Sequence, residues 1–163
     1  IVPDILVIGK AMASGLPVGA FTASKSLMSL LSDNPKLGHI TTFGGNPVIA
    51  SACKATLEVL TTSSIIKDID KKEKLFRKLL SHHLITEIRG MGLMLAPIFK
   101  SSDIANHLVL EAKERGLILF WLLYENKAVR ISPPLTISEE EIAEGCGIII
   151  DILDSYTKSI VRE

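Results

Sequence analysis

The apolar positions of this chain change their rhythm along its length. Ile5 to Ile8 is an unbroken apolar run, the pattern of a strand covered on both faces in a parallel sheet. Gly15-Leu16-Pro17 punctuates the chain, and Val18 to Ala23 predicts a second short strand. Ser24 to Leu31 predicts a short helix with Ser24 as its cap, followed by a loop at Ser32-Asp33-Asn34-Pro35. GHITTFGGNP, residues 38–47, is polar and glycine-rich. Asn46 and Pro47 fit the cap and first turn of a helix that reaches about Leu60, with Ala50, Ala52 and Ala55 on one side.

Beyond a break at Thr61 to Ser64 the pattern differs. Ile65 to His83 reads as one long helix with a charged, solvated middle. Ile85 to Phe99 reads as strand, glycine turn, strand. Asp103 to Arg115 has the spacing of an amphipathic helix closed by Gly116. Leu117 to Leu123 and Ala128 to Ile131 predict strands, and Pro133-Pro134 a stop. A last helix starts within Thr136 to Glu141 and runs to about Ile160. Ser138 and Glu141 have the spacing of a capping box there. A boundary therefore falls near residue 62. Residues 1–62 read as the end of a mainly parallel α/β domain, and residues 63–163 as a compact α+β domain, a small sheet covered by helices.

Composition narrows the class. Eighteen basic and eighteen acidic residues balance to a net charge of zero. No electrostatic grip on nucleic acid or an anionic membrane follows from that balance, and no apolar run has the length of a membrane span. Cys53 and Cys146 are far apart and read as free thiols of a reducing cytoplasm. His82-His83 has no third ligand at metal spacing, so no metal site is expected. The chain enters a strand within a few residues of Ile1, without an initiating Met. That abrupt start reads as an excised piece of a longer protein.

Lys10 carries the candidate chemistry. It ends the first apolar run, and ligands of parallel sheets gather at the carboxyl ends of strands. A lysine partly desolvated there offers a neutral amine, a nucleophile or a base. Ala11, Ala13, Ser14 and Gly15 leave room beside it. The Thr41 to Asn46 loop has hydroxyls and, at a helix start, backbone amides suited to a phosphate. The plainer alternatives are a strand-end lysine reaching solvent and a helix-capping turn.

Four stretches taken together resemble the class III (ω-amino acid) aminotransferases. PDILVIGKAMASGLPVGAF is similar to the segment around that family's active-site lysine, and GHITTFGGNPVIASA to the loop that follows. IRGMGLMLAPIF and VRISPPLTISEEEI are similar to two signatures of its C-terminal domain. The resemblance implies the C-terminal part of a fold-type I pyridoxal-phosphate-dependent transferase: the tail of the large parallel-sheet domain plus a small α+β domain. It implies pyridoxal 5'-phosphate as cofactor, joined through a Schiff base to Lys10, which later shuttles a proton. It implies that Thr42 binds the cofactor phosphate of a neighbouring subunit in a homodimer, and that Arg130 handles a carboxylate at the substrate site. An amine or ω-amino acid and a 2-oxo acid would be the substrates. Ala11-Met12-Ala13-Ser14 replaces a commoner glycine-rich run. The family's acidic partner for the pyridine nitrogen lies upstream of residue 1, so the isolated chain is expected to be poorly active or inactive. The alternative is a non-catalytic C-terminal domain acting only in folding or dimerisation.

Other features read as structure first. Arg89 with Gly90 and Gly92 could form an anion site, but a turn with flexible glycines in a small sheet is the plainer reading. His39 reads as a loop histidine and His107 as a helix-face residue. Phe120, Trp121 and Tyr124 read as an aromatic cluster for core or domain-interface packing, with a substrate-channel wall as the alternative.

Overall fold

The computed structural model describes residues 1–32, 34–36 and 38–160; Asp33 of the expected loop lies outside them. The chain divides into two compact units, Ile1–Ser63 and Ser64–Glu163.

In the first unit, β1 (Ile5–Gly9) is followed by one 3₁₀ turn, Lys10–Ala13, and by β2 (Gly19–Ala23). β1 and β2 pair antiparallel, from Ile5↔Ala23 to Gly9↔Gly19. A short connection returns the chain beside itself, whereas a parallel neighbour needs a long crossover. Within the described residues β1 has this one neighbour. Its expected burial on both faces is not realised there: Ile5, Leu6, Val7 and Ile8 are all exposed. Ser24 caps α1 (Lys25–Ser29), its hydroxyl accepting from Leu27 N–H. α2 (Pro47–Thr62) starts on Asn46 and packs against the 3₁₀ turn, where Ala13 is buried.

The second unit opens with α3 (Ile69–Leu79), shorter than the predicted helix at both ends. Ser64 hydroxyl donates to Asp68 Oδ2 at 2.7 Å, a local bond that competes with helix before Ile69. After Leu80, His82 Nδ1 accepts from Leu84 N–H at 3.1 Å, turning the chain into β3 (Ile85–Met91). β3 pairs antiparallel with β4 (Met94–Phe99) across a tight turn at Gly92. α4 (Ser102–Glu114) follows, with Ser101 as its cap, then β5 (Phe120–Trp121), β6 (Val129–Arg130) and α5 (Glu139–Ile160). β5 and β6 are much shorter than predicted. Bridges Leu95↔Ile131 and Ile98↔Ala128 join β4 to β6, so the two hairpins make one small antiparallel layer.

Helices cover that layer. α5 packs against both α3 and α4. Its buried positions are Ile142, Cys146, Ile149, Ile152 and Leu153, one stripe at helical spacing. α4 contributes Ile104, Ala105, Leu108, Val109 and Ala112, and the sheet contributes Leu95, Phe99 and Val129. The capping box forms as expected. Ser138 Oγ accepts from Glu141 N–H at 3.1 Å, and Glu141 Oε2 accepts from Ser138 N–H at 2.8 Å.

α3 also clasps the β3–β4 hairpin. Arg77 donates to the carbonyls of Ile88 at 2.7 Å and Gly90 at 2.8 Å. Glu73 accepts from Arg77 Nε at 2.8 Å and, through its other oxygen, from Gly92 N–H. The Arg77 hydrogen bond first, then the Gly92 amide, hold the Glu73 carboxyl below the usual glutamate range. The glycines of IRGMG are required here. Gly90 has φ 106°, and a Cβ on it would stand 2.0 Å from the Met94 carbonyl oxygen. Arg89 pairs with Glu87 instead of presenting an open anion site.

Candidate active site

Lys10 sits where β1 stops. Its φ is 54°, and Ser14, four residues on, has φ 45°. Left-handed backbone costs a side-chain-bearing residue roughly 1–2 kcal/mol. Such strain gathers at functional sites. The lysine side chain is exposed rather than partly desolvated, because the described residues lay only β2 beside its strand.

The glycine-rich loop differs from expectation in one respect. Asn46 Oδ1 accepts from Val48 N–H at 3.0 Å and from Ile49 N–H at 3.3 Å. Pro47 has no N–H to offer, and Ala50 N–H already bonds the Asn46 carbonyl at 2.9 Å. The first amides of α2 are therefore taken, and the loop caps its helix rather than offering those amides to a phosphate. The loop's threonine hydroxyls are not engaged by that cap. Thr42 is exposed. Beside the loop, β2 and α2 border an open cleft of about 730 Å³, lined in part by Pro17, Gly19, Thr41, Phe43, Asn46 and Cys53. Neither Lys10 nor Thr42 lines it, so this cleft does not unite the two.

Arg130 lies in the second unit, on β6. It pairs across the ladder with Phe120, and its guanidinium carbon is 4.9 Å from the centre of that ring. Both border a cavity of about 180 Å³ that also touches Pro133, Ile137 and Glu141. Among the described residues no carboxylate lies within ion-pair distance of Arg130, unlike Arg77 and Arg89. The three aromatics do not pack into the core of this unit. Phe120, Trp121 and Tyr124 are exposed, and the Trp121 indole N–H donates to Asn106 Oδ1 at 2.9 Å. β5 holds only Phe120 and Trp121, and the buried residue beside them is Leu119, just before the strand.

Residues 1–153 match the family described as Aminotransferase class-III. The chain belongs to the class-III aminotransferases. It is 35% identical over 158 residues to the acetylornithine aminotransferase of Caldanaerobacter subterraneus subsp. tengcongensis, covering 94% of this chain and 38% of that protein. It is 37% identical over 168 residues to the putrescine aminotransferase of Pectobacterium atrosepticum, covering 99% of this chain and 36% of that protein. Among solved structures it resembles the acetylornithine aminotransferase of Elizabethkingia anophelis, at 33% identity and a TM-score of 0.78, over 93% of this chain and 41% of that one. The chain thus spans well under half the length of the class-III aminotransferases it matches. Its fold is the α/β C-terminal part of a fold-type I pyridoxal-phosphate-dependent transferase.

Sequence reasoning missed the positive φ at Lys10, the Glu73–Arg77 clasp and the Phe120–Arg130 contact. A lysine directly after a strand-ending glycine was the signal for the first. The other two depend on helix length and strand register, which the apolar pattern left open.

Proposed function

We propose that this chain is the C-terminal part of an aminotransferase that moves an amino group between an amine or ω-amino acid and a 2-oxo acid with pyridoxal 5'-phosphate. The match over residues 1–153 to the class-III family carries this reading. The relatives named for acetylornithine and putrescine support a donor with a primary amine on an aliphatic chain. Two features of the first unit fit the cofactor: an exposed amine beside small residues, and threonine hydroxyls in a tight loop. When bound, pyridoxal phosphate supplies an aldehyde and an electron-withdrawing ring.

The chain's own residues supply the rest. Lys10 Nζ would hold the cofactor covalently, and as a free amine would take a proton from the substrate carbon and return it. The Thr42 hydroxyl, exposed on its loop, would donate to the cofactor phosphate of a neighbouring subunit in a homodimer. Arg130 binds a substrate carboxylate through its N–H edge. A second reading, a non-catalytic domain for folding or dimerisation, draws on the α2 amides already held by Asn46.

Titration with pyridoxal phosphate, borohydride reduction and peptide mapping test the proposal. A single adduct on the Lys10 peptide, lost in Lys10→Ala, is the expected result. Labelling scattered over surface lysines and unchanged by Lys10→Ala, in the full-length protein, overturns it.

A further inference from the structure

Phe120 and Arg130 stand directly opposite each other in the β5–β6 pair. Opposed residues of an antiparallel pair share one face, with Cβ atoms about 4.5–5.5 Å apart. The guanidinium carbon lies 4.9 Å from the ring centre, inside the roughly 6 Å reach of a cation–π contact. The contact sets the ring beside the guanidinium carbon, and a carboxylate grips the N–H edge of such a group in bidentate fashion. The edges of Arg77 and Arg89 are occupied, by Glu73 with two carbonyls and by Glu87. Arg130 has no carboxylate in ion-pair range among the described residues.

The ring is also held in place. Its neighbour Trp121 donates from its indole N–H to Asn106 on α4, and Leu119 on the other side is buried. On the facing strand Val129 is fully buried, and Ile131 is bridged to Leu95. Both partners of the contact are thus anchored from neighbouring positions.

We infer that Phe120 is a positioning residue: it fixes the Arg130 guanidinium so that its donor edge faces a substrate carboxylate. This rests on the reading of Arg130 as the carboxylate-binding group. The contact is of the exposed kind, which sets the expected effect at about two- to fivefold in carboxylate affinity.

The test uses the full-length holoenzyme. Phe120→Leu keeps apolar bulk and removes the ring; Phe120→Trp keeps a ring. KM and kcat are measured for 2-oxoglutarate and for a diamine donor without a carboxylate, and calorimetry gives the Kd of 2-oxoglutarate alone. Arg130→Ala is run beside them. The expected result is that Phe120→Leu raises KM and Kd for 2-oxoglutarate two- to fivefold, Phe120→Trp restores them, and the diamine KM and kcat stay put. An Arg130→Ala loss of carboxylate affinity with no effect of Phe120→Leu overturns the inference and leaves the Arg130 reading standing. So does a uniform loss on both substrates that Phe120→Trp fails to rescue, since that marks a general fold effect. No change in Arg130→Ala overturns the reading and the inference with it.

Discussion

The two units treat apolar residues in opposite ways. Among the described residues, the first unit buries only Ala13 and Cys53, while Val7 is 77% and Phe43 78% exposed. The second unit closes a continuous core from α3 to α5 around its small sheet. The same hydrophobic driving force acts on both. The difference lies in what each has to bury against: the second unit supplies both sides of its own interface, and β1 has one neighbour and two open faces.

Paired mutations in the two units should expose this contrast most clearly. Leu108→Ala, at a fully buried position, should lower unfolding stability of the second unit by about 2–5 kcal/mol. Val7→Ala should cost this chain less than about 0.5 kcal/mol. Denaturant unfolding of both variants measures the contrast. A full-length protein in which Val7→Ala costs as much as Leu108→Ala would show that β1 gains its cover from outside this chain.

Gly90→Ala comes next, at roughly 1–3 kcal/mol, since both φ and the Met94 carbonyl oppose a Cβ. The loss should appear as a lower melting temperature for the second unit alone. Glu73→Gln should cost about 1–2 kcal/mol at neutral pH by weakening charge-assisted bonds to Arg77 and Gly92. The folded carboxyl titrates below the unfolded one. Its contribution is therefore fully present above the unfolded glutamate pKa, about 4.3, and disappears as pH falls through the lower folded value. Stability measured against pH should fall less steeply on the acid side in Glu73→Gln than in the parent.

The smallest contrast is in thiol reactivity. Burial pushes the Cys146 thiol up to about 12, and only 1% of the residue is exposed. Cys53, 9% exposed, borders the open cleft of the first unit. Native-state alkylation at mildly alkaline pH, read by mass spectrometry, should label Cys53 well before Cys146.

Much of the second unit was legible because its signals are local. Ser138 with Glu141 announces a helix start, and the glycines of IRGMG a turn between two strands. Lys10 was legible as a candidate from a strand ending on a lysine. The exposure of β1 was not legible, since an apolar run states what a strand needs and is silent on whether its neighbours are present. Nor was the fate of the α2 amides legible: the Asn46 cap was readable, yet its bonds to Val48 and Ile49 answer a question of competition between acceptors. The end of α3 is followed by a turn held by single bonds, such as Leu84 N–H to His82 Nδ1, that leave no periodic trace.

The Glu73–Arg77 clasp has a consequence for how the hairpin aligns. It meets three main-chain groups at fixed intervals, the carbonyls of Ile88 and Gly90 and the amide of Gly92. Sliding β3 by one residue would swap the face of every side chain along it and point these groups away from α3. The clasp therefore acts as a vernier, a helix-borne gauge that recognises one alignment of the ribbon and leaves the neighbouring alignments unmatched.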